Sequence, residues 1–230
     1  MDVFEGWEGY LPKLEANWRT LISPQDTVIL AGDTSWAMKL EDTKTDFAFI
    51  QNLPGQKWLL KGNHDYWWTT ARKMERYLTE NGFDTMHILH NNACMVGDYA
   101  LCGTRGWPFD DTNAQDAKIM AREAGRLRMS LQAGGSTQKI AFLHYPPVYP
   151  GGCAQPLVDI LHEFGAVSYT HLPARTCTLS FCTPVCGMTQ PGPLPKRVSR
   201  RNHEAAAPHF SRPYRAPGLD TLSPRFGAGR

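Results

Sequence analysis

Two apolar runs, each halted by a glycine and followed at once by a side chain able to ligate a cation, restrict the folds open to this chain. Thr27-Val28-Ile29-Leu30-Ala31 runs into Gly32-Asp33, and Lys57-Trp58-Leu59-Leu60 leads through Lys61 into Gly62-Asn63-His64-Asp65. Short apolar runs of this length, bounded by turn residues, read as buried strands. About thirty positions separate the two glycines, which is the length of one strand–helix–strand unit. Parallel pairing then follows, because a crossover of that length brings the second strand back beside the first. An Asp, an Asn and a His come to the carboxyl ends of neighbouring strands, where open α/β sheets build their sites.

The rest of the chain fits an α/β reading as far as residue 166. Tyr10, Leu11, Leu14, Trp18 and Leu21 predict an amphipathic helix over 7–22, with Pro12 in its first turn. Further helices are expected over 41–52, over 69–81 with Gly82 as C-cap, over 116–132, and over 156–164 with Gly165 as cap. Short strands at 86–89, 93–96 and 99–102, with turns at Asn91-Asn92 and Gly97-Asp98, predict an antiparallel meander. A buried strand over 139–143 ends at His144.

Charge divides the chain at the same place. Residues 1–166 carry 15 Lys and Arg against 20 Asp and Glu, whereas residues 167–230 carry 9 against 2 and hold nine of the seventeen prolines. Periodic patterns stop there, so the composition predicts a folded domain over 1–166 and a disordered, basic Pro/Arg-rich tail over 167–230. Such a tail leaves nucleic-acid binding open as a rival function, since clustered arginines contact phosphates. Scattering of these arginines among prolines argues against it. No apolar run approaches the ~20 residues of a membrane span, and the acidic amino terminus does not read as a secretory signal. Six cysteines without a CxxC pair argue against a thiolate metal site and fit reduced thiols in the cytoplasm. The oligomeric state is not legible.

Asp33, Asn63 and His144 each follow directly on an apolar strand, as does His64. A carboxylate, an amide oxygen and an imidazole form an oxygen-and-nitrogen shell suited to Mn, Fe or Zn. A carboxylate that bridges two such ions permits in-line displacement at phosphorus. His64, oriented by its neighbour Asp65, is then placed to protonate a leaving alkoxide. Taken singly, each residue has a plainer role: Asp33 as a helix N-cap, Asn63-His64-Asp65 as a turn, His144 as a hydrogen-bonded strand end. Their joint order is what favours the metal site. His87, His90 and His162 fall on strand or helix patterns and read as structural, and the Trp67-Trp68 pair reads as core packing rather than a substrate platform.

VILAGD, KGNHD and FLHYPP together resemble the second, third and fourth motifs of the calcineurin-like metallophosphoesterase superfamily. The SWAMKL and GNHDYWW context is similar to a bacterial subgroup of predicted phosphohydrolases. The resemblance covers about residues 1–165 and implies a two-sheet sandwich flanked by helices that hydrolyses phosphate mono- or diesters with two divalent metals. It implies that Asp33 bridges the metals, that Asn63 and His144 ligate the second, and that His64, paired with Asp65, is the acid. Two motifs of the family are absent. No Asp-x-His precedes Asp33, and where Gly-His-x-His is expected the chain reads Ser168-Tyr169-Thr170-His171-Leu172-Pro173. His171 is a candidate for the first of those histidines. The ligand count predicts an incomplete sandwich in which only the second-metal site is partly retained, with impaired turnover, and suggests a fragmentary or frame-shifted reading of a longer gene. A non-catalytic binding module on the same fold is the alternative.

Overall fold

In a computed structural model the chain is described over residues 8–108, 114–149 and 152–170. Of the tail expected over 167–230, residues 167–170 instead form a strand of the second sheet, and residues 171–230, with His171, lie outside the described residues. Helix α1 (Tyr10–Leu21) leads into strand β1 (Thr27–Leu30), a single 3-10 turn (Leu40–Thr43), α2 (Lys44–Gln51) and β2 (Gln56–Leu59). After β2 come α3 (Ala71–Glu80) and β3 (Met86–Ile88), and the order β1-β2-β3 is parallel throughout. Ile29 sits opposite Trp58, and Trp58 opposite His87.

A second sheet, in the order β4-β5-β6-β9, comprises Cys94–Val96, Tyr99–Thr104, Gln138–Leu143 and Val167–Thr170. Strands β4 and β5 form the hairpin expected around Gly97, whose φ of 55° is the left-handed turn conformation open to glycine. Helix α4 (Ala114–Ala133) carries the chain from β5 to β6, and α5 (Gln155–Glu163) carries it from β6 to β9, both connections returning parallel strands. A two-stranded ribbon, β7 (Val148–Tyr149) with β8 (Gly152–Cys153), rises between β6 and α5. Strand β9 lies just past residue 166, where periodic patterning ends. Its four residues are too few for an alternation to register.

One expectation is overturned. Strand β3 does not continue into a meander with β4; it pairs with β2 in the other sheet. Asn92 accounts for the departure, its amide oxygen accepting from His90 N at 2.7 Å and its amide nitrogen donating to the Ile88 carbonyl at 3.0 Å. These bonds close a local turn after β3, so the chain leaves the first sheet instead of folding back on it.

Each sheet has its own core. Phe47, Leu59, Trp67, Met74, Leu78, Phe83, Met86 and Ile88 pack α2 and α3 against the first, with the Phe47 ring edge-on to Trp67 at 5.1 Å. Ala100, Cys102, Met120, Leu127, Leu131, Ala141, Leu143, Leu157 and Ile160 pack α4 and α5 against the second. Lys57, fully buried in β2, donates to the Leu53 carbonyl at 2.7 Å and so satisfies the chain end of α2. The first sheet is thinly covered at β1. All four β1 residues are only half-buried, β1 is an edge strand, and α1 buries no residue. No described helix is long and apolar enough to cross a membrane.

Candidate metal centre

Three strand ends meet between the two sheets. After β1 the chain bends at Gly32, with φ of 102°, and places Asp33 in the left-handed region at φ 56°, an uncommon setting for a residue with a side chain. After β2 it bends at Gly62. The two glycines lie against each other: a Cβ on Gly32 would come within 2.7 Å of Gly62 Cα and 2.5 Å of His144 Nδ1, and one on Gly62 would collide with the backbone and carboxylate of Asp33. Glycine is therefore required at both positions by close approach.

Asp65 fastens this junction. Its carboxylate accepts from the backbone N–H of Asp33 (2.9 Å), Thr34 (2.9 Å), Ser35 (3.3 Å) and Gly62 (2.6 Å), and from the Trp67 indole at 3.1 Å. Burial pushes the Asp65 pKa up, against the pull of its backbone N–H bonds. This corrects the expected pairing of His64 with Asp65. With its oxygens committed to the loop after β1, Asp65 turns away from the imidazole, which instead lies against the Tyr66 hydroxyl at 3.1 Å from Nδ1 and stacks on Trp36 at 4.8 Å. The structure therefore puts Asp65 in loop organisation. Tyr66 and Trp36 are the neighbours of His64 that the sequence reading missed; the Tyr66 spacing of two residues was the available signal.

Asp33, Asn63 and His144 are brought together. His144 Nε2 lies 2.8 Å from Asn63 Oδ1 and 3.6 Å from Asp33 Oδ1, and Asp33 Oδ1 also accepts from the backbone N–H of His64 at 2.9 Å. His144 Nδ1 faces the Ala31 carbonyl at 3.0 Å. A carbonyl only accepts, so Nδ1 carries a proton in this contact and Nε2 is the ring atom turned toward Asn63 and Asp33. Nε2 and the Asn63 and Asp33 oxygens face one another, and all three are lone-pair donors when Nε2 carries no proton. A cation relieves this arrangement. Ligands about 2.1 Å from one metal ion stand roughly 3.0–3.5 Å apart at its coordination edges, so the donor set fits a divalent ion, and the Ala31 bond is the outer contact that orients a ligating histidine. Among the described residues no three His, Cys, Asp or Glu side chains group as a metal site, because one donor of this set is an asparagine.

Elsewhere the structural readings of the remaining side chains are consistent with their contacts. Trp67 is buried and donates to the Ser35 carbonyl at 3.0 Å, His87 pairs with Gln56 at 2.9 Å, and His162 sits exposed in the last turn of α5. Burial pushes the Cys102 thiol up to about 11, which keeps it protonated and inert at neutral pH.

Parallel strand pairs in two sheets, crossover helices and an Asp/Asn/His cluster at the strand ends define an α/β protein with a polar cluster where its strands converge. The sequence profile of the calcineurin-like phosphoesterases matches residues 2–172, and the chain belongs to that family. Members are metal-dependent phosphoesterases that typically bind two divalent ions. Among solved structures, TT1561 of Thermus thermophilus is similar at 12% identity and a TM-score of 0.40, over 63% of this chain and 68% of that one. A second is similar at 13% identity and a TM-score of 0.37, over 58% and 57% of the two chains. No curated protein matches the chain.

Proposed function

We propose that the chain hydrolyses a phosphate monoester or diester at the cluster of Asp33, Asn63 and His144, with His64 as the acid that protonates the leaving alkoxide. The observation that carries this reading is the convergence of three lone-pair donors on one point, with the His144 ring fixed by Ala31. A divalent cation bound there would polarise the phosphoryl group and lower the pKa of a coordinated water. Manganese is the first ion to try, since an oxygen-and-imidazole shell suits it.

The side chains divide the remaining work. Asp33 supplies the anionic ligand, and its backbone strain keeps that carboxylate turned toward the cluster. The Tyr66 hydroxyl pairs with His64 Nδ1 at 3.1 Å and orients the ring, leaving Nε2 as the atom to face a leaving oxygen. Among the described residues a second cation would find Asp33 alone, so turnover by the 230-residue chain is expected to be weak although one ion binds.

Calorimetric titration with Mn²⁺, run beside hydrolysis of p-nitrophenyl phosphate and its bis ester, tests the reading. One ion should bind per chain and be lost in Asp33→Asn, and the residual turnover should vanish in His64→Ala. Manganese affinity unchanged in Asp33→Asn would overturn the site. Binding without any turnover would favour a non-catalytic module on this fold.

A further inference from the structure

A second polar cluster lies beside the metal centre and takes no part in it. Lys61 follows β2, one residue before Gly62; Arg105 follows β5; and Glu123 and Arg126 project from α4. Together with Leu60, Leu89, His90 and Thr104 they line an open depression of about 220 Å³ that includes open solvent. Glu123 is fully buried and accepts from the Thr104 hydroxyl at 2.7 Å, from Arg126 Nη1 at 2.7 Å and from Arg105 Nη2 at 3.3 Å.

Charge in this depression does not balance. Three cations line the depression against the Glu123 carboxylate, with the buried Asp65 carboxylate also attracting Lys61, and Lys61 makes no hydrogen bond or ion pair among the described residues. Arg105 Nε is buried with no hydrogen-bond partner, while its guanidinium lies 4.7 Å over the Trp107 ring. A buried guanidinium N–H left without a partner is destabilising, and it points to an acceptor that no described residue supplies. His90 does not add a proton here, because burial and the charge of Arg126 lower its pKa. On the other side, Arg105 reaches toward the metal cluster: its carbonyl accepts from Tyr145 N at 2.8 Å, and the Tyr145 hydroxyl feels the charges of both Arg105 and Asp33.

We propose that Lys61, Arg105 and Arg126 form a binding site for a phosphoryl group, distinct from the Asp33–Asn63–His144 cluster and adjoining it. Planar guanidinium groups and a compact ammonium match the oxygens of a phosphate. Two sources supply the same chemistry: a free phosphate ion, or a second phosphate on the substrate, the latter resting on the hydrolytic reading above.

Inorganic phosphate titrated into chain dialysed against EDTA reads the site without the metal. Saturable binding of one ion per chain is expected, falling with added salt and weakened about tenfold or more in Lys61→Gln and in Arg126→Gln. Neither variant unpairs Glu123, which keeps Thr104 and Arg105, and unchanged circular dichroism checks the fold. A nucleoside diphosphate and the matching monophosphate then separate the sources in Mn²⁺-loaded chain. A lower KM for the diphosphate that Lys61→Gln abolishes assigns the pocket to substrate; loss of phosphate inhibition alone assigns it to free phosphate. Absence of phosphate binding at millimolar concentration, or binding that both variants leave intact, overturns the proposal, and does so even where Mn²⁺ binding and turnover stand.

Discussion

Close approach of Gly32 to Gly62 is what lets single side chains from different strands share one point, so the smallest substitution there has a large consequence. In Gly62→Ala the added methyl must displace Asp33, whose backbone is already in the left-handed region. Overpacking of this kind costs about 1–3 kcal/mol, and the Asp33 carboxylate leaves its position beside His144. The expected outcome is a thermal midpoint several degrees lower and a Mn²⁺ affinity reduced by more than tenfold, measured by calorimetry. A variant with native affinity would mean that the loop relaxes without moving Asp33. Tyr66→Phe probes the other half of the site. It removes the hydroxyl beside His64 Nδ1 while leaving the Trp36 stack, so kcat should fall about tenfold, a fraction of the roughly 10²–10⁴ that a general acid supplies. KM should hold, because Tyr66 orients the imidazole and is not a cation ligand; a rise in KM with constant kcat would place Tyr66 in substrate binding instead.

Among the elements, β3 carries a titration that the fold must accommodate. His87 sits between Trp58 and Gln56, and burial, then the nearby charge of Lys57, lower its pKa below the usual histidine value. The unfolded chain takes up a proton at about pH 6.5 while the folded chain resists it, so more protons are bound in the unfolded state and stability declines as pH falls below about 6.5. His90, depressed for a similar reason, adds to the same slope. Urea unfolding at pH 7.5 and pH 5.5 should therefore give a lower midpoint at the acid value, and His87→Gln should shrink the difference; an unchanged difference would remove His87 from the balance. The same strand marks where sequence reading stops. Helices and the β1, β2 and β6 strands were legible because their apolar residues repeat at 3.6 spacing or form a short apolar run that stops near a glycine or, for β6, at His144. Pairing was not, since three apolar residues such as Met86–Ile88 fit either sheet, and the choice fell to Asn92 side-chain bonds invisible to periodicity. Asp33, Asn63 and His144 were readable from position alone, whereas the direction of the Asp65 carboxylate depended on four N–H groups presented by a loop more than thirty positions upstream and its own turn.

Across the whole described body, the Asp33, Asn63 and His144 cluster is one of the places where the two sheets meet, beside Leu60, whose Cδ1 would stand 3.2 Å from a Cβ on Gly103 of β5. Asp33 and Asn63 belong to the ends of β1 and β2, His144 to the end of β6, and the two apolar clusters have no buried residue in common. An ion held by these three side chains, as proposed, would tie one sheet to the other and bind the folded chain in preference to the unfolded one. At a concentration about 100 times its dissociation constant it should stabilise the fold by roughly 2.7 kcal/mol. For a domain of this size each kcal/mol moves the thermal midpoint by about 2–4 °C, so Mn²⁺ should raise it by roughly 5–10 °C, reversibly on adding EDTA. Near-ultraviolet circular dichroism reports both halves, through the Trp67 environment in the first core and Trp107 beside the second. Both signals should move together when metal is present, because unfolding either half releases the ion. Asp33→Asn should abolish the shift while leaving the metal-free midpoint nearly in place. An equal shift in that variant would show the ion bound elsewhere, and the joint between the sheets would then rest on packing and the Ala31 and Asn63 bonds to His144 alone.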